Sequence, residues 1–152
     1  MNPLIVSTYP PRKCGIATFT SDLFEGMKSV SVKPLILAMI RDKEEGEYTE
    51  EVILKVREEE LDDYINAAEA INNSSIDIVN IQHEFGIFGG EYGSYILEFA
   101  KRLEKPIVTT LHTVLSKPDS KQVEIMRELT KLSKKTVVMT KAAIDILFKL
   151  WS

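Results

Sequence analysis

The chain has 152 residues, 44% of them hydrophobic and 28% charged, which fits one globular domain able to bury a core without disulfides. A formal net charge of -4 and the lack of any lysine or arginine stripe leave no electrostatic footprint for nucleic acid. No apolar run approaches the roughly 18 residues that span a bilayer, Cys14 has no cysteine to pair with, and no basic, apolar leader opens the chain, so a cytoplasmic protein touching membranes at most peripherally is expected.

Leu4-Ile5-Val6 reads as a short buried strand, stopped by the loop Ser7-Thr8-Tyr9-Pro10-Pro11, where two prolines exclude a helix. After Gly15 the four-residue steps of Phe19, Leu23 and Met27 predict a helix, with Thr18, Thr20 and Ser21 available to cap its start. Residues 34–40 and 52–56 read as two further strands, separated by a charged, exposed excursion over 41–51. Leu61, Tyr64, Ile65, Ala68 and Ile71 trace one face of a helix that Asn72-Asn73-Ser74-Ser75 ends.

The second half repeats a unit of buried strand, loop and amphipathic helix. Strand 76–81 leads through 83–93 into a helix near 95–103, strand 106–111 leads through 112–119 into a helix near 123–132, and strand 136–139 leads into a helix over 142–151. Strands apolar on both faces and joined by helices belong to a mostly parallel sheet with helices on both faces, so the expected fold is α/β, doubly wound and Rossmann-like. The last helix lacks a stop signal, so the chain reads as truncated, and Leu147, Leu150 and Trp151 either pack in the core or meet a continuation of the chain.

Such sheets bind ligands at the carboxyl ends of their strands, where loops converge and helix amino termini present free N–H groups. Four segments fall there: 7–18, 82–93, 112–118, and Thr140-Lys141. In the first, Arg12 and Lys13 precede Gly15, a position that lets the backbone approach an anion; the alternative is a tight turn with two solvated cations. The segment carries neither the G-x-G-x-x-G fingerprint nor the P-loop lysine signature. In the second, Gln82, His83, Glu84 and Phe85 precede Gly86, Gly89, Gly90 and Gly93, which suits either ligand contact or a hydrogen-bonded structural histidine with an apolar loop tip. The third holds His112, the other of the chain's two histidines. His83, Glu84 and His112 have the composition of a two-histidine, one-carboxylate metal site but lack helical His spacing, so no metal is expected. Cys14 lacks the local signature of a cysteine hydrolase and reads as a small turn residue, and Lys141 as a solvated charge.

Taken in order, the run from Ser7 through Pro10, Pro11 and Gly15 to Phe19, then Gln82-His83-Glu84-Phe85-Gly86 with Gly89-Gly90, then Thr110-Leu111-His112-Thr113, and finally Val137-Val138-Met139-Thr140, resembles the amino-terminal domain of the retaining glycosyltransferases of family four. The resemblance spans essentially the whole chain. It implies that residues 1–152 form the acceptor-side half of a two-domain GT-B enzyme and are inactive without a carboxyl-terminal donor-binding domain. It also implies a hexosyltransferase that moves sugar from a nucleotide-sugar donor to the hydroxyl of an acceptor glycan or lipid, without a metal or other cofactor. Gly15, with Arg12 and Lys13, would face the donor, and His112 would act catalytically beside the donor sugar. Gln82, His83, Glu84, Phe85, Gly89 and Gly90 would line the acceptor side. One departure is that Cys14 stands where the family often has the first of two adjacent glycines. The competing readings are a non-catalytic ligand-binding module of the same fold and a small metal-dependent hydrolase.

Overall fold

The computed structural model describes residues 1–41 and 46–151. Part of the charged excursion, residues 42–45, and the packing expected of Trp151 lie outside them. Six strands form one parallel sheet: β1 (Pro3–Ser7), β2 (Leu35–Ile40), β3 (Val52–Arg57), β4 (Ile78–His83), β5 (Ile107–Leu111) and β6 (Lys135–Val138). Their order is β3-β2-β1-β4-β5-β6, so the chain winds outward in both directions from the β1/β4 pair. The Rossmann-like, doubly wound arrangement is as expected, and its switch point lies between β1 and β4.

Alternation along the strands divides the core in two. Leu4 and Val6 of β1 pack on the larger cluster, which gathers α2 (Leu61–Asn72), α3 (Tyr95–Arg102) and α4 (Ser120–Leu132). Ile5, between them, joins Ile36, Ala38 and Phe24 on the opposite face, beneath α1 (Gly15–Ser29). The sixth strand leads into α5 (Lys141–Trp151), where Arg127 of α4 donates to the Leu150 carbonyl at 2.9 Å. No described helix is long and apolar enough to cross a membrane.

Several boundaries and faces differ from the sequence reading. The fourth strand runs two residues later than expected and ends on His83. The first helix buries Ala17, Thr20 and Phe24, while Leu23 and Met27 flank that face and Phe19 is 39% exposed. Its cap is Cys14, whose Sγ accepts from the Ala17 amide at 3.4 Å and meets Thr8 Oγ1 at 3.0 Å. Thr20, expected as a cap, is fully buried and bonds Ser7 Oγ at 2.7 Å. The third and sixth strands are not apolar on both faces, because each forms an edge of the sheet; Ile53 and Val137 are exposed there.

Candidate functional site

The carboxyl edge of the sheet separates into two regions, and Glu58, just after β3, organises the first. Its carboxylate takes Arg12 Nη2 at 3.1 Å, with both side chains largely buried, and Arg41 approaches at 3.7 Å. Arg12 also donates to the Met39 carbonyl at 3.4 Å. The Glu58 carbonyl accepts from Tyr64 Oη at 2.8 Å, and that oxygen accepts from the Gly89 amide at 3.0 Å. A Cβ on Gly89 would stand 2.0 Å from the Glu58 carbonyl oxygen, so only glycine permits this approach. Gly90, at φ +79, donates to Glu59 Oε2 at 3.3 Å. Burial is the first cause that raises the pKa of the Tyr64 phenol, which stays protonated and can donate.

These contacts place three of the candidate residues. Arg12, expected to face a donor, is an ion-pair partner of Glu58 held between strand-end loops. Gly89 and Gly90, expected on the acceptor side, fasten their loop to the β3–α2 turn. Lys13 and Gly15, by contrast, are exposed, and a Cβ on Gly15 would meet nothing within 4 Å. Open space therefore lies in front of the amino terminus of α1.

The second region lies where β4 and β5 end. Adjacent residues of a strand face opposite ways, and this splits the run Gln82-His83-Glu84. His83 points into the larger core and is 0% exposed. Its ring stands edge-on to Phe85, 5.0 Å between centroids, and stacks on Phe88 at 5.9 Å. Neither ring nitrogen has a hydrogen-bond partner. Burial, with a smaller contribution from His112, lowers its pKa to about 4, so it is a neutral aromatic core residue at pH 7. His83 was expected on an acceptor surface; two residues of extra strand place it in the core instead.

Gln82, 1% exposed, points to the other face, the one that carries α1 over β1 and β2. It too is buried where acceptor contact was expected. Its Oε1 lies 2.6 Å from His112 Nε2, and its Nε2 donates to Asn80 Oδ1. Asn80 Nδ2 donates in turn to the Val108 carbonyl at 3.0 Å and to Thr110 Oγ1 at 3.3 Å. His112 is half-buried; its backbone amide donates to the His83 carbonyl at 2.9 Å, and Phe19 meets its ring edge-on at 4.7 Å. Burial lowers the pKa of His112 and the charge of Glu84 opposes that shift, so the ring is neutral at pH 7. Glu84 accepts from the Phe85 amide at 2.9 Å and from the Thr113 hydroxyl, tying the two strand ends together. Phe85, partly buried, packs on the core and lines a small apolar hollow with Val114 and Leu147.

His112 also lines a shallow hollow with Met139, Thr140 and Ala143, beside the amino terminus of α5. It is therefore the imidazole of this edge that reaches open space, and Phe19, Glu84 and Thr113 surround it. Among the described residues no group of three or more His, Cys, Asp or Glu side chains is arranged to hold a metal ion. Sequence reasoning missed Asn80 and Phe19 as site residues. An asparagine between Val79 and Ile81 in a buried strand was a usable signal, because a buried amide requires partners.

No protein-family model matches the chain, and no curated protein matches it. Among solved structures, the chain is similar to an alpha-glucosyltransferase in complex with UDP and a 13-mer DNA containing a central A:G mismatch, at 10% identity and a TM-score of 0.64 over 93% of this chain. A second structure, an alpha-glucosyltransferase with UDP and a 13-mer DNA containing a HMU base, matches at 10% identity and a TM-score of 0.58 over 91% of this chain. The chain spans 37% of the length of each. The likeness establishes a glycosyltransferase-like Rossmann fold.

Proposed function

We propose that the chain is the acceptor-side domain of a retaining glycosyltransferase that transfers a sugar from a nucleotide-sugar to an acceptor hydroxyl. The observation that carries this reading is His112, a neutral, half-buried imidazole held at the carboxyl edge of a fold shared with a UDP-bound glucosyltransferase. Sugar transfer breaks the bond from the anomeric carbon to the diphosphate and forms one to the acceptor oxygen. Charge builds on the departing diphosphate, so amide groups directed at it lower the barrier. In this chain the uncrowded start of α1, at Gly15, with the exposed Lys13 beside it, suits that role. His112 would hold a sugar hydroxyl in place, which favours reaction by orientation. Glu84, Phe85 and Gly90 are the acceptor-side residues that retain partial exposure.

The complete enzyme would add a donor-binding domain facing this edge, and would work in the cytoplasm without a metal. A glycan or lipid hydroxyl, not nucleic acid, is the proposed acceptor, since the chain is acidic and has no basic stripe. The test is to express the whole reading frame that carries this domain and measure nucleotide-sugar consumption with a panel of acceptors. Consumption that falls about 100-fold in His112→Ala is expected, in line with the loss of an orienting group. No consumption, together with no binding of nucleoside diphosphates, would overturn the reading.

A further inference from the structure

The polar chain beneath His112 has a direction, and one group sets it. The Val108 carbonyl can only accept, so the Asn80 atom 3.0 Å away is the amide nitrogen, and the opposite end of that side chain is its oxygen. Gln82 must then present its own nitrogen to Asn80 Oδ1. That leaves Gln82 Oε1, an acceptor, facing His112 Nε2 at 2.6 Å. The imidazole nitrogen must donate. Because the ring is neutral, its proton sits on Nε2, and Nδ1 keeps a lone pair that has no hydrogen-bond partner among the described residues.

We propose that Gln82 is the positioning residue of His112: anchored through Asn80 on the Val108 carbonyl, it fixes the Nε2–H tautomer, so that Nδ1 receives a hydrogen bond from a substrate hydroxyl. The site therefore selects a hydroxyl donor and discriminates against a sugar whose oxygen at that position is methylated or replaced by fluorine. This identification of the ligand group rests on the glycosyltransferase reading; the tautomer and its cause do not. Phe19 limits the ring's tilt from the other side, its edge-on contact leaving Gln82 the only hydrogen-bonding partner of Nε2 among the described residues.

The test is nitrogen-15 NMR of the two histidines in this chain, compared with Gln82→Met and Gln82→Glu. In the parent, His112 is expected as the Nε2–H tautomer with a slowly exchanging ring proton. Gln82→Met removes the acceptor and should abolish that protection. Gln82→Glu keeps an acceptor facing Nε2, now charged, at the loss of the bond to Asn80 Oδ1, and should keep the protection while raising the His112 pKa by about one to three units, as a carboxylate within bonding distance does. Buried His83, packed on Phe85 and Phe88, reports the fold and should not shift in Gln82→Met; the other charged group acting on His112 is Glu84, unchanged in both variants. An Nδ1–H tautomer in the parent, or a His112 indifferent to both variants, overturns the proposal. If the tautomer is as stated but the complete enzyme transfers no sugar, the glycosyltransferase reading fails and the role of Gln82 stands.

Discussion

Acidification should destabilise this fold in a window that belongs to His83. The imidazole is fully buried, its nitrogens have no partners, and its pKa falls from 6.5 to about 4 on folding. The unfolded chain therefore binds a proton that the folded chain refuses, and stability is lost as pH falls from about 6.5 towards about 4. Integrated between pH 7 and pH 5, that difference is about 2 kcal/mol, a fall of about 4–8 °C in Tm for a domain of this size. His83→Leu keeps a similar volume and cannot take up the proton. Its stability at pH 7 reflects packing against Phe85 and Phe88, but its loss between pH 7 and pH 5 should be about 2 kcal/mol smaller than the parent's. Chemical denaturation at pH 7, 6 and 5, followed by circular dichroism, measures both slopes. His112 and the carboxylates of Glu51 and Asp63, whose pKa values are also lowered, act in both proteins and cancel. Parallel slopes would show that His83 takes up its proton in the folded state, and the account of a sealed, neutral imidazole would be wrong.

Three further outcomes follow from the Glu58 region. Gly89→Ala drives a methyl group to 2.0 Å from the Glu58 carbonyl oxygen and should cost about 3 kcal/mol or more by denaturation, whereas Gly86→Ala, with open space before it, should change stability by less than about 0.5 kcal/mol. Tyr64→Phe deletes the oxygen that joins Glu58 to Gly89 and should cost about 1–3 kcal/mol, with faster amide exchange at Gly89 as its specific signature. Arg12→Met leaves Glu58 mostly buried with, among the described residues, only the more distant Arg41 beside it, and should cost about 3 kcal/mol at pH 7 by chemical denaturation.

The architecture was legible because period-2 and helical patterns survive in single elements: Leu61, Tyr64, Ala68 and Ile71 mark α2, and each strand of the second half is followed by its helix. What was not legible depended on neighbours. Phe19 sits in step with Leu23 and Met27, yet it reaches past the sheet to His112, since the helix start overhangs the strand ends. Cys14 caps a helix through sulfur, although Thr18, Thr20 and Ser21 carry better capping oxygens. The polar run 82–84 looked like a single patch, and a shift of two residues in the strand end decided which side chain met the core and which met His112. For Gly89 the reason for glycine lies 31 residues away, in the carbonyl of Glu58, and no local pattern carries it.

The same geometry explains why this edge holds a few groups with spare bonding capacity within a fixed surround. Loops following β1, β3 and β4 all end on Glu58, through Arg12, Tyr64 and Gly89, so their backbones are bound to one another and have little freedom to follow a ligand. Where β4 and β5 end, the groups are also anchored, but their bonding capacity is not exhausted: Glu84 carries two acceptor bonds on two oxygens, and His112 has one nitrogen engaged. A ligand is recognised by the capacity that folding leaves unused. On this edge that capacity lies with His112 and Glu84 and with the amides at the open start of α1, which face the crevice from opposite sides of the β1/β4 switch point. The amides of buried Gln82 and half-buried Asn80 are spent on orientation, and their contribution to binding is to decide which atom of His112 remains available.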